Sequence, residues 1–153
     1  MSIKLLSQRD PKWANVKLGN SNVTIGQDGC LITSLCMLSQ YYGVPITPDV
    51  VARHTESFNA NGEYLWNYPF PFTLEKSIGG KIQPTRNDAE IMKSLKGPRR
   101  GVVLQVDNGE HFMLALSKPL FGSYTCADPW FGDKCDAVKR WKNITGSRHL
   151  LIK

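Results

Sequence analysis

No Cys-x-x-Cys pair occurs in the sequence: Cys30, Cys36, Cys126 and Cys135 stand singly, which argues against zinc-ribbon and thioredoxin-like motifs. A mixed zinc site of Cys126, Cys135 and His111 lacks any short ligand pair, so neither a metal nor a cofactor is expected. Long apolar runs are missing too. The longest, Phe112 to Leu116, is five residues, against the ~20 needed to cross a bilayer as a helix, and no membrane span is expected. The opening stretch MSIKLLSQRDPKW holds no extended apolar segment, so no signal peptide is expected and the chain is placed in the cytoplasm at synthesis. In that reducing compartment a disulfide framework is not expected. Internal repeats, low-complexity tracts and Pro/Gly/Ser-rich linkers are absent, which leaves residues 1–153 as one domain.

What is present is the composition of a folded chain, with 41% hydrophobic, 21% charged and 10% aromatic residues. Lys and Arg number 19 against 13 Asp and Glu, a formal charge of +6. Such a surface favours anionic partners: nucleic acid, anionic lipid or an acidic cell-wall polymer. The basic groups Lys93, Lys96, Arg99, Arg100 and Lys134, Lys139, Arg140, Lys142 neither run unbroken nor follow a nucleic-acid motif. They read as solvated faces, and no specific nucleic-acid binding is expected.

Residues 8–29 carry glycines and asparagines with little periodicity and read as a long ordered loop, the kind of segment that often carries function. From Cys30 the pattern changes. Leu31, Leu35, Leu38 and Tyr42 recur at helical spacing and Gly43 stops the run, so a helix begins at Cys30. Thr47 as N-cap, Pro48 and Asp49 announce a second helix, and Asn87 or Asp88 caps a third that Gly97-Pro98 closes. Between them, residues 56–86 are rich in aromatics, and short helices are expected near 62–67 and 73–78. The period then becomes two: strands are expected over Val102–Asp107 and His111–Ser117, joined by an Asn108-Gly109 hairpin, then over Ser123–Asp128 and Arg148–Ile152. A helical or irregular stretch is expected at Ala137–Trp141. Helices first and sheet second is the α+β layout, here N-terminal helices packed on an antiparallel sheet of four to five strands.

A thiol at a helix N-terminus sits at the positive end of the macrodipole, which favours thiolate. Gly29, just before Cys30, allows a tight entry to the helix and room for a substrate at the sulfur. Read singly, Cys30 is also what a small buried residue of a core helix looks like. His111 opens a strand after the hairpin turn, and Asp128 follows in Ala127-Asp128-Pro129-Trp130. If those two strands pair, carboxylate and imidazole lie side by side and the carboxylate fixes the ring tautomer.

These residues resemble papain-like cysteine peptidases of the bacteriocin-leader-peptidase-like group. The resemblance lies in Leu6-Ser7-Gln8-Arg9-Asp10-Pro11-Lys12-Trp13-Ala14, in Thr24-Ile25-Gly26-Gln27-Asp28-Gly29-Cys30-Leu31-Ile32, in the Gly-x-His strand at His111, and in Asp128-Pro129-Trp130 with Gly132 beyond. It implies a papain-like fold, Cys30 as nucleophile, His111 as general base and then acid, and Asp128 as the orienting group. It also implies an oxyanion-donating glutamine, either Gln8 or Gln27, with Gln8 favoured by its place in the opening motif. Trp13, Gly29 and Trp130 are expected to flank the substrate cleft, and residues 56–86 to set substrate choice.

The implied activity is cysteine-dependent hydrolysis of a peptide or amide bond. A small basic domain of this type suits a monomeric phage or bacterial endolysin, a thiol protease released to cut peptidoglycan cross-links at an anionic wall. The alternative is the same fold used as a non-hydrolytic binding module or a cysteine acyltransferase.

Overall fold

The computed structural model describes residues 2–153. Its six strands form one antiparallel sheet in the order β1-β6-β2-β3-β4-β5. They are β1 (Phe72–Gly79), β2 (Arg100–Val106), β3 (His111–Ser117), β4 (Thr125–Asp128), β5 (Asp133–Asp136) and β6 (Ile144–Ile152). Five helices accompany them: α1 (Ile25–Asp28), α2 (Cys30–Tyr41), α3 (Pro48–Ala52), α4 (Asp88–Lys96) and α5 (Ala137–Trp141). The class is α+β, with six strands where the sequence predicts four to five. No helix among the described residues is long and apolar enough to cross a membrane.

Both faces of the sheet are covered. On one face α2 packs Leu35 and Leu38 against Val103, Leu114 and Leu150; on the other, Ile91 of α4 and Ala137 of α5 meet Val102, Leu104 and Met113. This is why β2 reads Gly-Val-Val-Leu-Gln-Val, buried from Gly101 to Val106, instead of the alternation of a half-wet antiparallel strand. Each fully buried Leu or Val there contributes roughly 1.5–3 kcal/mol of burial. Gly101 lets α2 approach: a Cβ on it would meet Leu38 Cδ1 at 2.6 Å.

Two expected helices are not there. The segment expected as helical over 73–78 is β1, an edge strand paired to β6. Its Leu74, Glu75 and Lys76 are good helix formers, but seven of its eight residues pair with β6 and outweigh propensity, and the charges and a bulge between Leu74 and Lys76 protect the edge. Residues 62–67 form no helix either; Tyr64 makes an isolated bridge to Phe58. The loop over 8–29 ends in the short helix α1, and β6 begins at Ile144 instead of Arg148. The two-residue hairpin expected at Asn108-Gly109 is a wider turn, Asp107–Gly109, with Asp107, Asn108 and Gly109 all at positive φ. Helices and strands are not segregated as expected, because β1 precedes α4.

Candidate active site

The chain prepares the start of α2 through α1. Thr24 and Gln27 form a reciprocal cap: Gln27 N–H donates to Thr24 Oγ1 at 3.3 Å and Thr24 N–H to Gln27 Oε1 at 3.0 Å. Gly29 then turns the chain directly into α2. A Cβ there would lie 2.5 Å from Ile25 O and 2.6 Å from Ile25 Cγ2, so any other residue pushes the two helices apart. No side chain caps α2. Its first turn-closing bond runs from Thr33 N to Gly29 O at 3.0 Å, so the N–H groups of Cys30, Leu31 and Ile32 precede the helical ladder.

β3 and β4 pair, with Leu114 opposite Ala127, and this brings His111 to Asp128. His111 Nε2–H donates to Asp128 Oδ1 at 2.9 Å. Asp128 is fully buried and accepts three further bonds: from Trp130 N at 2.9 Å, Trp141 Nε1 at 2.9 Å and Arg140 Nη1 at 3.0 Å. Burial alone would raise its pKa, but those donors, His111 first, hold the carboxyl down at about 2. Arg140 is itself pinned by a bidentate pair with Asp133, at 2.6 and 3.1 Å. The indole of Trp141 lies across the His111 ring, centroids 4.3 Å apart.

With Nε2 engaged by Asp128, Nδ1 is the ring nitrogen left without a hydrogen-bond partner among the described residues. Burial pulls the His111 pKa down, yet the hydrogen bond to the ionised Asp128 and the neighbouring Cys30 raise it to about 9. The imidazole is therefore an imidazolium at neutral pH. The other three thiols lie in different surroundings: burial raises the pKa of Cys36 and of Cys126, and pushes Cys135 up to about 12. All four are free.

Cys30 and Leu31 form one wall of a cleft of about 470 Å³. Its other walls are Phe58, Glu63, Tyr64 and Trp66 of the aromatic segment, and Gln105, Phe112 and Arg148 of the sheet. Part of the 56–86 segment thus lines the same cleft as Cys30.

The structure brings Cys30, His111 and Asp128 together. It places Gln8 at the start of α1: the side chain is buried, Gln8 N donates to Pro129 O at 2.7 Å, and Nε2 donates to Gly26 O at 3.2 Å, four residues ahead of Cys30, and more weakly to Ile25 O at 3.5 Å. Gln8 Oε1 is buried with no hydrogen-bond partner among the described residues. Gln27 is exposed, with its amide oxygen engaged in the α1 cap. Trp13, Gly29 and Trp130, expected at the cleft, do not line it. Trp13 is a core residue whose Nε1 donates to Ser7 O at 2.8 Å, Gly29 packs on Ile25, and Trp130 lies under Arg9, 4.5 Å from guanidinium to ring centroid. Arg140 and Trp141 were not singled out as site residues from the sequence. The available signal was Asp136, which caps α5 through Val138 and Lys139 N–H and so turns that helix back onto Asp128. Among the described residues no group of three His, Cys, Asp or Glu could hold a metal ion.

No family model matches the chain, and neither a curated protein nor a solved structure matches it.

Proposed function

We propose that the protein is a papain-like cysteine peptidase or amidase acting on a peptide or peptidoglycan cross-link. The observation that carries this reading is His111 held between Cys30 and a buried, ionised Asp128. An imidazolium beside a sulfur at an uncapped helix N-terminus is the arrangement that stabilises a thiolate. The thiolate attacks the substrate carbonyl carbon, and its π-electrons move to oxygen, where the Cys30 N–H and the Gln8 amide donate to the oxyanion. As the tetrahedral adduct collapses, His111 gives its proton to the leaving nitrogen and a thioester remains. Neutral His111 then takes a proton from water, hydroxide adds to the thioester, and the acid leaves with thiolate and imidazolium restored. Asp128 keeps the ring oriented and stabilises its charged form, without taking the proton.

The test is incubation with purified peptidoglycan and with a mixed peptide pool, reading new amino termini by mass spectrometry. New termini are expected with the native protein and none with Cys30→Ala. Equal cleavage by the two proteins sinks the nucleophile; transfer of the acyl group to an added amine in place of water would favour the acyltransferase reading.

A further inference from the structure

Three strands adjacent in the sheet supply the floor of the cleft with side chains on the α2-facing side: Gln105 of β2, Phe112 of β3 and Arg148 of β6. Arg148 is half-buried and bonds only to neutral groups. Its Nη2 donates to Gln105 Oε1 at 3.0 Å and its Nη1 to the carbonyls of Ser147 at 3.2 Å and Gly79 at 3.5 Å, while the guanidinium carbon stands 5.6 Å from the Phe112 ring centroid. Gln105 cannot turn away, because its Nε2 donates to Gly109 O at 2.9 Å, so its oxygen is presented to the guanidinium. Burial lowers the Arg148 pKa, and none of its hydrogen-bond partners is a carboxylate. The cleft does hold acids, but they are placed elsewhere: Glu110 pairs with Lys81, Glu63 accepts from Asn59, and Asp28 lies at the α1 end.

A guanidinium withdrawn from water without a counter-charge is costly, and it is repaid when an anion docks on the N–H groups left without a partner, Nε and the second hydrogen of Nη2. We propose that Arg148 anchors a substrate carboxylate, so that the peptide acted on at Cys30 carries an acidic side chain or a free C-terminal carboxylate. The inference rests on this cleft being the substrate site proposed above.

Binding to the Cys30→Ala protein separates the two claims, because affinity is read without turnover. Calorimetry would compare two matched pairs of probes: acetyl-Ala-Glu-Ala-amide with its Gln counterpart, and acetyl-Ala-Ala-Ala acid with its amide. At least one acid is expected to bind roughly 10- to 100-fold more tightly than its amide, the range of a charge-assisted hydrogen bond. The pair that shows the preference names the source of the carboxylate. Adding R148Q should erase the preference and R148K should keep part of it, with circular dichroism showing that each variant is folded. Equal affinities within both pairs, no measurable binding of any probe, or a preference that survives R148Q overturns the anchor. Absence of turnover in the native protein overturns only the hydrolytic reading.

Discussion

Trp141 touches His111 and Asp128 at once: its ring lies 4.3 Å from the imidazole centroid while its Nε1–H donates to Asp128 Oδ2 at 2.9 Å. The indole therefore shields the His111–Asp128 bond from water on one side and fixes the far oxygen of the carboxylate. Separating these two roles takes two substitutions. Trp141→Phe keeps a ring over the imidazole and loses one hydrogen bond to a charged acceptor, a cost of about 2 kcal/mol. Trp141→Ala removes the cover as well and should cost about 3 kcal/mol or more. Urea melts check the stabilities, and the rate on a cleaved substrate should fall further for Ala than for Phe.

Asp128 ties the fold to acid. Its folded pKa of about 2 lies below the unfolded carboxylate value, so its stabilisation is fully present above about pH 4 and is lost as pH falls through 2. A shift of this size corresponds to about 2 kcal/mol. Asp136, also held down at about 2 while it caps α5, titrates in the same window. Asp128→Asn should flatten the acid arm of stability against pH between 4 and 2 without abolishing it, as followed by thermal melts across that range.

Why those partners were hidden in the sequence is a matter of distance along the chain. The helix at Cys30 and the strand at His111 announce themselves through apolar spacing, because each buries its side chains against the sheet or forms part of it. Asp128 could be linked to His111 since the two strands are neighbours in sequence. Arg140 and Trp141 approach Asp128 only because β5 and α5 double back, and β5, with the sequence Asp-Lys-Cys-Asp, is too short and too charged to show a strand period. β1 was masked by its helix-forming residues, and the aromatic cleft wall over Phe58–Trp66 has almost no regular structure to leave a period.

His111 sets the opposite limit. Its folded pKa of about 9 lies above the unfolded value near 6.5, so it stabilises the fold fully below about pH 6.5 and that contribution is lost as pH rises through 9. Activity that needs the imidazolium should fall over the same interval. Asp128→Asn removes the hydrogen bond and charge that raise the value, so the alkaline limb of kcat/KM should move toward lower pH. A limb unchanged in this variant would mean that Cys30 alone sustains the imidazolium.

Among four free thiols, Cys30 should react first with limiting iodoacetamide at pH 7. It lines the cleft and faces His111, whereas burial raises the pKa of Cys36, Cys126 and Cys135 and keeps them as thiols. Peptide mapping by mass spectrometry checks the order, and His111→Ala should slow Cys30 specifically. First labelling at any other cysteine would remove Cys30 as nucleophile.

The two glutamines should separate by the kind of damage each variant shows. Gln27 serves the α1 cap through Thr24, so Gln27→Ala should cost about 1 kcal/mol of stability and leave the rate nearly unchanged. Gln8 is buried against Gly26 and Pro129, beside the turn into Cys30, and its amide nitrogen gives up the long 3.5 Å contact to Ile25 O to donate elsewhere while keeping Gly26 O at 3.2 Å. An amide that donates to a developing oxyanion is worth about 3 kcal/mol, or about 10² in rate. Gln8→Ala should therefore lower kcat by about that factor with KM little changed. Alkylation supplies the control, because the thiolate displaces iodide at the iodoacetamide carbon and no oxyanion develops. Cys30 should thus label at the native rate in Gln8→Ala, while turnover is lost. If labelling and turnover fall together, Gln8 acts by holding the Cys30 turn in place, and the backbone N–H groups at the start of α2 supply the oxyanion hole unaided.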